Sequence, residues 1–185
     1  MKANLLEALT QVQDFRAPRG RRYPLGLLLL LVIMGTISGC LGYRALEDFA
    51  RRHHDALVAT LQLSPTRFPS DSTFRRVMMG IDFTDLAKVF NNWANDWMPA
   101  QEQDWLGVDG KSIKATLSNY DKAYQDFINV VSVFNTRCGV ASALQHFHNK
   151  ESSEIAVVQV LLATLKLQGV VFTFDSLHCQ KKPYS

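Results

Sequence analysis

Over the first hundred residues apolar positions recur at helical spacing, and beyond them they gather into short runs typical of strands. Asn4 and Glu7 stand at capping-box spacing ahead of Leu5, Leu6 and Leu9. Residues 25–37 are apolar on every side, which predicts a helix at the centre of a bundle. Pro24 suits its first position, and Gly39 and Gly42 break it. Residues 43–54 are amphipathic, with Leu46, Phe49 and Ala50 inward and Arg44, Glu47, Asp48 and Arg51 outward. A shorter helix reaches about Gln62, and Pro65 and Pro69 mark a loop. Ser70 can cap a helix over 71–79 that Gly80 ends. Asp82 can cap another, with Phe83, Leu86, Val89, Phe90, Trp93 and Trp97 near helical spacing. Trp93 and Trp97 read as packing residues. Pro99 closes this half, and a domain boundary is expected at about residue 100.

The second half changes period. Residues 105–108 predict a strand, 111–126 a polar loop, and 127–134 a second strand rich in Val and Ile. Cys138-Gly139 marks a turn before a third strand over 140–147. Ser152 or Ser153 can cap a helix over 154–167 ended by Gly169, and 170–174 is the fourth strand. The first and fourth runs are continuously apolar, as in strands buried on both faces. A right-handed crossover is expected. The order β-β-β-α-β is that of the ribonuclease-H-like fold, in which the first and fourth strands are neighbours. The expected class is therefore α+β / α/β: a helical domain over 1–99, then an incomplete ribonuclease-H-like domain over 100–185.

Composition narrows the setting. A length of 185 residues allows one ordinary domain or two small ones. The net charge of +3 excludes a chain that is basic throughout. The excess lies in 1–98, with twelve Lys/Arg against nine Asp/Glu, while 99–185 carries eight of each. Most of that excess is arginine, whose planar fork suits phosphate. Cys40, Cys138 and Cys179 are widely spaced without a CxxC, which fits a reducing cytoplasm. Residues 1–15 lack a signal peptide's apolar core. The run 25–37 covers roughly 20 Å of helix against a hydrocarbon core of about 30 Å, so it is read as a core helix and no membrane is expected.

Candidate chemistry centres on Asp109 and Asp175, each directly after an apolar run: Trp105-Leu106-Gly107-Val108 and Val170-Val171-Phe172-Thr173-Phe174. Two carboxylates at adjacent strand tips suit a hard divalent cation such as Mg²⁺ or Mn²⁺. Two such ions about 4 Å apart can drive phosphoryl transfer. The alternative for each aspartate is a turn former or helix cap. Lys111 reads either as a phosphate contact near the metal site or as a solvated loop lysine. Gly110-Lys111-Ser112 is no P-loop, because Trp105 stands where that motif needs glycine. Arg75 and Arg76 sit early on a short helix, as in a DNA-recognition helix, with the hydroxyls of Ser70, Ser72 and Thr73 available for phosphate. The alternative is a solvated face over Phe74 and Val77. Arg19, Arg21 and Arg22 form a basic loop suited to nonspecific phosphate binding. His146 and His148 share a strand face, and with His178 and Cys179 they could suggest zinc; surface histidines and a buried thiol are the favoured reading.

Several segments carry a family resemblance. Trp105 through Ser112 resembles the first catalytic segment of the H-repeat-associated family of insertion-sequence DDE transposases. Val130-Val131-Ser132-Val133-Phe134 resembles its second strand, and Lys150 through Ser153-Glu154-Ile155 its helix start. Phe174 through Lys181 resembles its second aspartate segment. Residues 19–25 and 69–77 are similar to its associated helical domain. The resemblance implies DNA strand cleavage and transfer at insertion-sequence ends with Mg²⁺ or Mn²⁺. Asp109 and Asp175 would be its first two acids and metal ligands. The family's third acid, a Glu, lies well beyond the second, and no acidic residue follows Asp175 here. The chain is thus expected to be a truncated N-terminal portion, inactive by itself. Implied partners are DNA, a second copy of the chain, or full-length transposase. The alternative is a non-catalytic DNA-binding or inhibitory module.

Overall fold

The computed structural model describes residues 2–63, 68–118, 126–148 and 152–175, except for the side chains at 114–118 and 126. Pro65, Lys150, His178, Cys179 and the motif residues after Asp175 lie outside the described residues. The chain divides into two compact units, Met1–Val89 and Phe90–Ser185.

The first unit is helical: α1 (Leu5–Leu9), α2 (Leu25–Ile37), α3 (Tyr43–Arg52), α4 (His54–Leu61), α5 (Asp71–Gly80) and the start of α6 (Phe83–Trp97). The capping box forms at α1, where the Glu7 amide donates to Asn4 and the Asn4 amide to Glu7, each at 2.9 Å. α2 spans Leu25–Ile37 as its apolar run predicts, and Pro24 stands just ahead of it as the N-cap residue, with ψ 138°, and is not the first helical residue. Leu25 and Leu27 to Leu31 are buried, so α2 is the core of this unit. The segment Pro18–Ile37 is long and apolar enough to cross a membrane by length and composition. Its continuous α-helix, however, is the 13-residue α2, preceded by a separate 3₁₀ turn, Pro18–Gly20. Leu46, Phe49 and Ala50 of α3 are buried as their spacing predicts.

Two expected helix ends differ around α5. Ser70 makes no side-chain cap. Its hydroxyl lies 3.0 Å from that of Ser72 and 3.2 Å from that of Thr73. The Asp71 amide donates instead to Glu47 of α3 at 2.8 Å. A carboxylate accepts more strongly than a hydroxyl and suits the positive end of a helix. Gly80 belongs to α5, and Ile81 ends the helix in an extended conformation. A Cβ at Gly80 would fall 2.3 Å from the Phe15 ring, so this glycine permits a close approach and supplies no left-handed turn. Asp82 does cap α6, accepting from the Thr84 amide at 2.8 Å.

The second unit is a four-stranded mixed sheet covered by one helix. Its elements are β1 (Trp105–Ser118), β2 (Asp126–Asn135), β3 (Val140–His148), α7 (Glu154–Leu165) and β4 (Val171–Phe174), in the sheet order β3-β2-β1-β4. β1, β2 and β3 pair antiparallel, and β4 runs parallel to β1 from Trp105↔Val171 to Val108↔Phe174. Helical region and mixed sheet together make the chain α+β.

Three expectations change in this unit. β1 does not stop at Val108: it continues through Asp109, Gly110 and Lys111, with Asp109↔Ser132 and Ile113↔Ile128 still paired to β2. The polar residues expected in a loop remain in the ladder because β2 satisfies their backbone while one face meets solvent. The first and fourth runs are not buried on both faces. Leu106 and Val108 pack with Val131, Val133, Val157 and Leu161 under α7. Trp105, Phe134 and Val171 are exposed on the opposite face. Finally, α7 ends before Gly169, at a left-handed C-cap Lys166 with φ 48°, while Ser153 caps its start by accepting from the Ala156 amide.

Side chains close the sheet's ends. Asn91 of α6 donates to the Leu144 carbonyl at 3.0 Å and accepts from the Leu144 amide at 2.9 Å, which occupies the free edge of β3. Asp104 is buried ahead of β1 and accepts from Arg137 Nε at 2.6 Å, from Asn135 Nδ2 at 2.9 Å and from the Gln101 amide at 2.9 Å. The Arg137 guanidinium, then the Gln101 amide and Asn135, hold the Asp104 carboxyl well below the usual carboxylate range.

Candidate functional site

Asp109 and Asp175 follow the last parallel pair, Val108↔Phe174, on adjacent strands. Both line one shallow cleft of about 550 Å³ with Gly107, Ser132, Phe134 and Thr173. Register explains the company: Gly107 pairs with Phe134 and Thr173, and Asp109 with Ser132, so all belong to the face away from α7. The Ser132 hydroxyl donates to the Asp109 carbonyl at 3.4 Å. Behind Asp109, on the covered face, a Cβ at Gly110 would meet the Glu154 carboxylate, so Gly110 leaves room for the start of α7. Lys111 lies two residues beyond Asp109 on β1, hence on the same open face, and is exposed. Ser132 was not among the expected site residues. Only the β1–β2 register places its hydroxyl beside Asp109.

The first unit carries a second cleft, of about 710 Å³. Arg19 and Arg22 of the basic loop meet Ser70, Thr73 and Arg76 of the α5 region across it. Two segments about fifty residues apart in sequence thus form one concave surface. The loop is built by its other arginines. Arg16 grips Asp14 with Nε and Nη2, each at 2.8 Å, and donates to the Tyr23 carbonyl at 2.9 Å. Arg21 donates to the carbonyls of Arg16 at 2.7 Å and Asp14 at 3.1 Å. Arg21 therefore holds the loop together, and Arg22 stacks over Tyr23 at 5.8 Å. Among the described residues Arg19, Arg22, Arg75 and Arg76 have no carboxylate partner. Ser72, Arg75 and Arg76 are exposed along the outer side of α5, and Arg76 also reaches the cleft.

The Asp14 clamp has a testable pH signature. Hydrogen bonds from Arg16 lower the Asp14 pKa from 3.8 to about 2. A depressed carboxyl stabilises the fold above its unfolded pKa and loses that contribution as pH falls through the folded one. Stability from Asp14 is thus complete above pH 4 and disappears toward pH 2. The Asp14→Asn variant is expected to show a shallower loss of melting temperature over that window. An unchanged slope would remove the clamp from the account.

The family model described as DDE_Tnp_1-associated matches residues 6–94. Over 178 residues, 96% of this chain, the sequence is 30% identical to the "H repeat-associated putative transposase YbfD" of Escherichia coli (strain K12) and covers 68% of that protein. The chain belongs to the H repeat-associated transposase family. It is also 30% identical over 178 residues to the "H repeat-associated putative transposase YhhI" and to the "Putative protein YbfL" of the same organism, covering 46% of each. The chain therefore spans about half the length of these two curated relatives. No solved structure matches it.

Within this H repeat-associated chain, residues 6–94 contain the arginine cleft, whereas Asp109 and Asp175 lie in the segment shared with the curated relatives. His146 and His148 alternate with Phe147 on β3. Among the described residues no group of three or more His, Cys, Asp or Glu gathers as a metal site. Trp93 and Trp97 pack on each other with ring centroids 6.5 Å apart.

Proposed function

We propose that this chain is the N-terminal portion of a DDE transposase. Residues 1–99 would form its DNA-associated helical domain, and 100–185 the first part of a ribonuclease-H-like catalytic domain. The observation that carries the proposal is the shared cleft of Asp109 and Asp175, one residue past the β1–β4 pairing.

The donor set fits a hard cation. Two carboxylates and the Ser132 hydroxyl are all oxygen donors, and Mg²⁺ is commonly bound by one or two carboxylates completed by waters and substrate phosphate. When bound, divalent ions activate the attacking oxygen and stabilise the leaving oxygen of phosphoryl transfer. The protein's part is positional. The β1–β4 register holds the two carboxylates side by side on an open face that a DNA strand can approach. Lys111, on the same face, contributes positive charge for the phosphate backbone. The arginine cleft supports the DNA-associated role of the helical region and equally supports a module that occupies DNA without cutting it. Homo-oligomers or pairing with full-length transposase belong to the same proposal, with insertion-sequence ends as the DNA.

Titration with Mn²⁺ followed by electron paramagnetic resonance tests the pair. Asp109→Asn and Asp175→Asn are each expected to weaken Mn²⁺ binding by at least about tenfold, since loss of even an outer-shell partner of a ligand typically costs about tenfold to a hundredfold. Equal binding by the parent chain and both variants would remove the carboxylate pair as a metal site.

A further inference from the structure

We infer that the arginine cleft of the first unit takes an unpaired nucleotide of DNA in preference to intact duplex. This rests on the transposase reading for the choice of DNA, and is independent of the carboxylate pair. The phosphate half of such a ligand is met by Arg19, Arg22 and Arg76, which have no carboxylate partner among the described residues. The hydroxyls of Ser70 and Thr73 line the same cleft, and neither caps α5. Glu47 already fills the anion position at the start of α5, so an incoming phosphate is directed to the guanidiniums.

The base half is met by aromatic rings. Phe15 is 45% exposed although it packs against Gly80, and it lines the cleft together with Phe68. An exposed ring beside arginines is the surface on which unstacked bases are held. A duplex presents phosphates to such a cleft, but its base faces are covered by stacking. Only an extruded or terminal nucleotide brings a base face with it. At about 710 Å³ the cleft is within the size range of small-molecule sites, so it has room for a nucleotide.

The test compares the full chain's binding to a short fluorescein-labelled single strand and to the same strand annealed to its full complement, over one matched series of salt concentrations, by fluorescence anisotropy. The strand is expected to bind about tenfold more tightly. Phe15→Leu should cost strand affinity about fivefold to a hundredfold, the range of one base–aromatic stack, and leave duplex binding unchanged. If Phe15→Leu lowers the melting temperature, Phe68→Leu is the parallel variant with the same expectation. Arg19→Ala with Arg76→Ala should weaken both ligands and flatten the salt dependence. The inference is overturned by equal or tighter duplex binding, by strand affinity insensitive to both phenylalanine changes, or by no binding to either DNA. Because Mn²⁺ titration judges the Asp109–Asp175 pair separately, the nucleotide cleft and the catalytic reading can fail independently.

Discussion

A polypeptide of these 185 residues is expected to show no Mg²⁺-dependent strand transfer, even where it binds Mn²⁺ and DNA. Asp109 and Asp175 bring two carboxylates to one cleft. Among the described residues no third Asp, Glu, His or Cys joins them. Metal-assisted phosphoryl transfer depends on fixing coordination around both the attacking and the leaving oxygen. Loss of a single preorganised stabilising group in an active site typically costs about a hundredfold to a thousandfold in rate. With two carboxylates and no third such ligand among the described residues, transfer by this polypeptide is expected to fall below detection in a gel assay using labelled element ends. Transfer by the purified chain that disappears in Asp109→Ala would show that the site is already sufficient, and the expected inactivity would have to be abandoned.

The second large effect concerns stability. Phe74 is completely buried on α5, beside the equally buried Val77. Phe74→Ala removes a fully buried ring and leaves a cavity that its surroundings fill only in part, at a cost of roughly 3–5 kcal/mol. That is a large share of the about 5–15 kcal/mol by which small domains are stable. The helix that carries Thr73 and Arg76 should loosen with it, so the variant is expected to lose cooperative melting by circular dichroism and to lose DNA affinity as well. A melting temperature within about 5 °C of the parent would mean that α5 is anchored by other contacts.

Much of the helical half was legible locally. The Asn4–Glu7 capping box, the apolar run that became α2 and the inward trio Leu46, Phe49 and Ala50 depend on neighbours within a turn or two. Misread ends had distant causes. Glu47 replaces Ser70 as the cap of α5 from twenty-four residues away. Phe15 explains Gly80 from another part of the unit. In the sheet, Asp109 stands within a long β1 because β2 keeps pairing with residues whose own composition reads as loop. Ser132 joins the carboxylates, and Phe15 and Phe68 join the arginines, without any short-range signal.

By itself the sequence determined the order of elements, most helix starts, the family and the two aspartates that follow apolar runs. These are set by side-chain periodicity, by capping within a few residues, and by motifs that survive as contiguous strings. Tertiary structure alone decided which face of the sheet is open, that Arg21 braces the loop while Arg19 and Arg22 face a cleft, and that Asp109 and Asp175 share one surface. Those outcomes depend on strand register and on packing between segments far apart in the chain, where a shift of one residue would turn each side chain to the other face.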